Sequence, residues 1–265
     1  MSDDVARVFS RAAETYERGA SLHRHVAAML AELLPGDDGV GEGPVLELGA
    51  GTGTLTRLLL QRYPRARLHA VDVAAGMVQC LREQFVNERR LVCLQGDART
   101  FRYDGAFPLV ASSAALHWAV PLEDTMRNLY CLTLPGGRLC AAMMTAGTLR
   151  ELRDIRARVA PEKVPPGRLA GESETLAAIE SAGFTLEDVR TELVHARYAS
   201  ARDFLETIHA QGLTGGAVSR AVRPLTRGEL GRVAREYDRE CSDGHGGVYG
   251  GYEVLCVSAL REGAS

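Results

Sequence analysis

The chain has 265 residues, 46% hydrophobic and 25% charged, enough for one large α/β domain or a core with a smaller appended piece. Its 31 basic and 34 acidic side chains leave a formal net charge of −3 without a polybasic run. A nucleic-acid partner, which needs clustered cations against phosphates, is therefore not expected. The acidic start and the lack of a bilayer-length apolar run predict a cytoplasmic protein with no membrane contact.

Val5, Phe9, Ala12, Ala13 and Tyr16 fall at helical spacing, and a break is expected near Gly19–Ser21. A second helix follows with Leu22, Val26, Met29, Leu30 and Leu33, and PGDDGVGEGP, Pro35 to Pro44, reads as a turn-rich linker. Strand and helix signals then alternate: VLELGA, a helix from Thr54 to Tyr63, ARLHAVDV, a helix through Met77, Leu81 and Phe85. The strands RLVCLQGD and FPLVASSAAL come next, then a helix from Pro121 to Thr133 and, after PGG, a fifth strand, RLCAAMMT. This rhythm predicts a parallel sheet with crossover helices.

Beyond it lie a charged helix, Thr148 to Val159, another helix from Ser173 to Ala182, and a long strand, GFTLEDVRTELVHARY. Two helices, SARDFLETIHAQG and TRGELGRVAREYDREC, separate that strand from a closing one, YEVLCVSAL. The expected organisation is an N-terminal helical piece over residues 1–36, a core over 44–199 and 246–262, and a helical cap insertion over 200–245.

Six cysteines show no CxxC pair and most sit in apolar runs, so buried free thiols are expected rather than disulfides. His23 and His25 would diverge on a helix, and no metal site is expected. Lys163 is the only lysine, so an anion clamp in this chain would be a guanidinium.

The glycines of ELGAGTGT fall at 49, 51 and 53, whereas a dinucleotide fingerprint needs glycine at 54, where Thr54 stands. A GK[ST] ending is also missing, which excludes the phosphate-cradling P-loop. Three acids narrow the ligand. Glu47 precedes the glycines on the strand, in a position to meet a cationic amine. Asp72 ends the next strand, where a carboxylate accepts from ribose hydroxyls. Asp97, in QGDAR, ends the third strand, where it can accept from an adenine amino group. Each acid alone would also suit a helix cap or a loop end. In this order, with the glycines, they describe S-adenosylmethionine.

The block from Val45 to Thr145 resembles the class I S-adenosylmethionine-dependent methyltransferases, a Rossmann-like α/β fold with seven mostly parallel strands and helices on both faces. More narrowly, VFSRAAETYERGASLHRHVAAMLAELL, SSAALHWAVPLEDTMRNLYCLTLPGGRLCAAMMTAGTLREL and GGYEVLCVSALRE are similar to the malonyl-acyl-carrier-protein O-methyltransferases of biotin synthesis. Two positions depart from that pattern: His23, where the family often has Gln, and His209, where many relatives have Lys. The resemblance implies cofactor contacts from Tyr16, Glu47, Gly49, Gly51, Gly53, Asp72, Val73, Met77, Asp97, Ala98 and Ser113. It also implies a first helix that brings Tyr16 over the cofactor, and a malonyl group on acyl carrier protein (or malonyl-CoA) as acceptor.

A carboxylate acceptor is ionised at neutral pH and needs alignment rather than a general base. Tyr16, His117 and Trp118 are placed around the transferring methyl, with His117 and Trp118 at the carboxyl edge of the sheet. Arg150, Arg153, Arg197 and Arg202 are the candidates to hold the acceptor's carboxylate. Arg220, Arg223 and Arg227 are candidates to attract an acidic carrier. Another small acid, of the trans-aconitate kind, or a quinone precursor stays open as an alternative acceptor.

Overall fold

The computed structural model describes residues 20–210 and 223–263, so the expected first helix with Tyr16, and Arg220, lie outside the described residues. In chain order come α1 (Ala20–Leu33), α2 (Asp37–Val40), β1 (Val45–Leu48), α3 (Thr54–Arg62), β2 (Leu68–Asp72), α4 (Ala75–Gln84), β3 (Leu91–Gln95) and β4 (Phe107–Ser113). Then follow α5 (Leu122–Leu132), β5 (Thr133–Met144), α6 (Arg150–Val159), α7 (Glu172–Ser181), β6 (Thr185–Tyr198), α8 (Ala201–Ala210), α9 (Arg227–Glu240) and β7 (Val248–Leu260).

The seven strands form one sheet in the order β3-β2-β1-β4-β5-β7-β6, with β7 antiparallel to both neighbours and the other pairs parallel. The order reverses at β1, because β2 and β4 flank it on opposite sides. A doubly wound sheet binds its ligands in the crevice that such a reversal opens.

Alternation along the strands supplies both faces of the core. Val45, Leu109, Ala111, Cys140, Ala142, Val254 and Cys256 pack beneath α1 and α3 with Val26, Leu30, Leu59 and Tyr63. Leu46, Leu48, Val110, Leu139, Ala141 and Val257 pack on the other face with Met126 and Leu129 of α5 and Ile179 of α7. Burial of both faces explains why β1 and β2, buried at every position, show no apolar–exposed alternation.

A third, smaller cluster joins Ile155 of α6, Phe204 and Ile208 of α8, and Val233 and Tyr237 of α9. Lys163 fastens the loop after α6 to this cluster: its ammonium lies 2.8 Å from Glu229, with both side chains under 15% exposed. Glu229 also closes the capping box of α9 with Thr226. In an otherwise arginine-only chain, the one lysine is a structural tie.

Three expectations need correction. The linker carries a short helix, α2, whose Val40 is buried in the core. The break expected to reach Ser21 is absent, because α1 already runs from Ala20. Of the six cysteines, expected to be buried, only Cys140, Cys241 and Cys256 are, and Cys131 of α5 is exposed.

Candidate active site

The carboxyl ends of β1 to β4 surround a cleft of about 650 Å³. Its walls are Gly49, Gly51, Asp72, Val73, Met77, Gly96, Asp97, Ala98, Ser113, Trp118 and the run Ala114 to Leu116, with Ala119.

Backbone hydrogen bonds fix the glycine loop on the sheet. The N–H groups of Gly49 and Ala50 both donate to the Val71 carbonyl, at 2.8 and 3.1 Å. Asp72 completes the join, its carboxylate accepting from Gly51 N–H at 2.9 Å and Ala74 N–H at 2.8 Å. Burial of Asp72 raises its pKa, and those backbone donors oppose the rise by favouring the carboxylate.

The three motif glycines serve different ends. Gly49 has φ of 72° and approaches the β4 loop so closely that a Cβ would lie 2.1 Å from that of Ala115. Gly51, at φ of 55°, faces open space inside the cleft. Gly53 lies away from the cleft, where a Cβ would strike Phe85 and Leu81. Ala114, opposite the loop, holds a positive φ of 53° although it is not glycine, a strain of the kind that concentrates at working sites.

Glu47 departs most from its expected placement. Only 1% exposed, it is absent from the cleft walls and accepts a 2.6 Å hydrogen bond from the Thr56 hydroxyl on α3. Burial pushes its pKa up to about 8, against the Thr56 bond and with help from the Asp72 charge. It is therefore mostly protonated at neutral pH.

His117, also expected at the reacting centre, lies behind the cleft wall in the short turn Leu116–Trp118. Its Nδ1 accepts from Met144 N–H at 3.4 Å, so the neutral ring carries its proton on Nε2. Burial, with His23 adding, drives its pKa down to about 3, so the ring stays neutral. Trp118 does line the cleft, 5.1 Å from the His117 ring. Asp97 lines it too, paired with Arg99 at 2.8 Å.

The four candidate carboxylate clamps are already engaged. Arg150 lies 3.8 Å from Asp154, Arg197 2.7 Å from Asp243 and Arg202 2.8 Å from Glu206, each of these arginines more than half exposed. Arg153 donates to the Ala146 carbonyl. Sequence reasoning missed Gly96, Ala114, Ala115, Leu116 and Ala119, wall residues whose only signal was position at a strand end. No group of three or more metal-ligating side chains occurs among the described residues.

Residues 45–137 match the family model of a methyltransferase domain. A solved S-adenosylmethionine-dependent methyltransferase from Mesorhizobium loti shares the fold at TM-score 0.54 and 19% identity, over 88% of this chain and 96% of that one. The family model marks a methyltransferase domain within this chain, and the solved structure shows the same fold. The full-length matches are narrower. The chain is 35% identical to a malonyl-acyl-carrier-protein O-methyltransferase of Halorhodospira halophila, over 98% of this chain and 88% of that one. A protein of the same name from Herminiimonas arsenicoxydans is 31% identical, over 97% and 95%. The chain belongs to the malonyl-acyl-carrier-protein O-methyltransferase family.

The cleft fits the cofactor: the backbone cradle at Gly51 and the buried acceptor oxygens of Asp72 stand together at the strand-order reversal. Two outcomes follow. Gly49→Ala should unfold well below the wild type, because its methyl overlaps Ala115, whereas Gly51→Ala should lose only about 1–2 kcal/mol of stability from backbone strain. Gly51→Ala should nonetheless bind S-adenosylhomocysteine more than tenfold less tightly by calorimetry, and wild-type affinity would remove Gly51 from the cofactor cradle. The second outcome concerns pH. A carboxyl that ionises near 4.5 unfolded but near 8 folded binds more protons in the native state, so its stabilising effect is complete at low pH and fades as pH rises toward 8. Thermal unfolding of Glu47→Gln should match wild type near pH 5 and exceed it by several degrees near pH 8.5. A difference independent of pH would contradict the buried protonated carboxyl.

Proposed function

We propose that the protein methylates the free carboxylate of a malonyl group carried on acyl carrier protein, the substrate named in its full-length relatives. The observation that carries this reading is that each ionisable group in the described walls of the cleft is already engaged. Of the ionisable groups in its described walls, Asp72 is held by two backbone N–H groups and Asp97 by Arg99, while His117 behind the wall is kept neutral. Such a wall suits an acceptor that arrives ionised and poorly suits a hydroxyl or a carbon acid.

S-adenosylmethionine, when bound, supplies an electrophilic methyl: a carboxylate oxygen takes it as the carbon–sulfur bond breaks, a neutral thioether leaves, and no proton moves. The chain's part is alignment and exclusion of water. In this reading Asp72 accepts from the ribose hydroxyls, Asp97 faces the adenine, and Val73, Met77, Ala98 and Ser113 enclose the base and sugar. In the same reading Trp118 covers the methyl and His117 supports Trp118 from behind; Tyr16, the other residue proposed at the methyl, lies outside the described residues. The domain division in this reading is an N-terminal segment over 1–36, a core over 44–199 and 246–262 and a cap insertion over 200–245, of which residues 1–19 and 211–222 lie outside the described residues. The exposed Arg223 and Arg227 offer an acidic carrier protein a cationic approach. Cytoplasmic placement belongs to the same reading, and no described helix is long and apolar enough to cross a membrane.

Incubation with methyl-labelled S-adenosylmethionine and malonyl-carrier protein should yield a labelled methyl ester. The rate should persist in chelator and change less than about twofold between pH 7 and 8.5, because the nucleophile is already an anion. A rate that climbs tenfold per pH unit, or a metal requirement, would point to a hydroxyl or carbon acceptor.

A further inference from the structure

Arg99 joins two stretches of the cleft wall that are far apart in sequence. On one side it embraces Asp97, just after β3. Its backbone N–H donates to Oδ1 at 3.0 Å, Nε to the same oxygen at 3.2 Å, and Nη2 to Oδ2 at 2.8 Å. On the other side its Nη1 donates at 3.2 Å to the carbonyl of Val120, 21 residues further along the chain. Val120 follows Trp118 and Ala119, which line the cleft as Asp97 and Ala98 do.

Both stretches also rest on α5, from its buried side. The Asn128 amide donates to the Ala98 carbonyl at 2.8 Å, and the Thr125 hydroxyl to the Ala119 carbonyl at 2.5 Å. Asn128 and Thr125 are both buried, whereas the Arg99 side chain is 29% exposed. Arg99 therefore closes a frame whose other side is α5. An arginine that served only to neutralise Asp97 would need no bond to a carbonyl so distant in sequence. The planar guanidinium suits the longer reach: Nε and Nη2 present the fork that a carboxylate accepts, and Nη1 is left to serve another acceptor. Its effect on the wall falls on the short turn Leu116–Trp118, which closes with Trp118 N–H on the Ala115 carbonyl and Ala119 N–H on that of Leu116. The bond to Val120 fixes the end of that turn.

We infer that Arg99 is a positioning residue, which sets the Asp97 carboxylate and the Trp118 turn at one spacing and so couples the adenine end of the cleft to the wall beside the methyl. The inference rests on the proposed places of Asp97 at the adenine and Trp118 at the methyl. It goes beyond them in naming the side chain that links the two.

Trp118 is the only tryptophan in the chain, so its emission reports on this turn alone. The test measures acrylamide quenching of that emission in the unliganded protein, and calorimetric binding of S-adenosylhomocysteine. Wild type, Arg99→Gln and Arg99→Lys are compared, with Arg127→Gln as a surface control, whose exposed arginine pairs with Asp124. In Arg99→Gln the quenching constant should rise about twofold or more, because a turn that has lost a tie opens more often. S-adenosylhomocysteine should bind about fivefold less tightly or worse, since Asp97 has lost a charge-assisted partner. Arg99→Lys separates the two ends. Its ammonium still neutralises Asp97, so affinity should return to within about twofold of wild type, but a single point charge does not replace the opposed donors. Quenching should therefore stay as high as in Arg99→Gln. Arg127→Gln should match wild type in both measurements.

Wild-type quenching in both Arg99 variants would overturn the inference. So would joint recovery of quenching and affinity in Arg99→Lys, which would make Arg99 only the counter-ion of Asp97. The adenine contact is tested apart from Arg99, with wild type and S-inosylhomocysteine, whose base carries a carbonyl in place of the amino group. That analogue should bind about tenfold less tightly or worse, because its carbonyl faces an acceptor. Equal binding would remove Asp97 from the adenine, while raised quenching in both Arg99 variants would still establish the tie to the Trp118 turn.

Discussion

The Asp72 carboxylate carries the site. Its two oxygens accept from Gly51 N–H and Ala74 N–H, and so tie the glycine loop after β1 to the start of α4 after β2. Without that tie, the loop would rest on the two bonds from Gly49 and Ala50 to the Val71 carbonyl, and Gly51 would have no fixed direction. Burying a carboxylate is expensive, and backbone donors offset the cost only when both are in place. The close approach of Gly49 to Ala115 then sets the loop against the opposite wall, so that one ion fixes the width of the cleft.

Charge at the site follows from the same constraint. Two carboxyls, Glu47 and Asp72, lie close enough for the Asp72 charge to raise the Glu47 pKa, and burial holds Glu47 protonated. The pair therefore presents one negative charge. Asp97 is matched by Arg99 and His117 is neutral, so the cleft offers alignment with little capacity to move protons. The arginines expected to clamp a carboxylate follow the same economy: Arg150, Arg197 and Arg202 are matched by Asp154, Asp243 and Glu206.

Much of this was legible in the sequence, for identifiable reasons. Strands buried on both faces declare themselves as apolar runs, and the glycine spacing with Asp72 at the next strand end located the cleft. Glu47 stands outside the cleft walls, and the sequence held the signal for its direction. It shares the strand parity of Val45, which packs toward α1 and α3, and so points to Thr56 rather than into the crevice. Arg150 and Arg202 each have an acid four residues on, Asp154 and Glu206, and that spacing alone could have marked them as paired. The partner of Arg197, Asp243, lies on a distant loop, and no local pattern announces it. Gly53 completes the motif in sequence, and in the fold it also leaves room for Phe85 and Leu81, which a Cβ there would strike.

Asp72 orders the loop, and we propose that it also receives the cofactor's ribose. Calorimetric titration of S-adenosylhomocysteine into Asp72→Asn measures this most directly, because the amide keeps the shape and turns one acceptor into a donor facing a backbone N–H. The affinity should fall by about 1.5–3 kcal/mol, the worth of hydrogen bonds to a charged group. A folded Asp72→Asn protein that binds S-adenosylhomocysteine as tightly as the wild type would contradict the account.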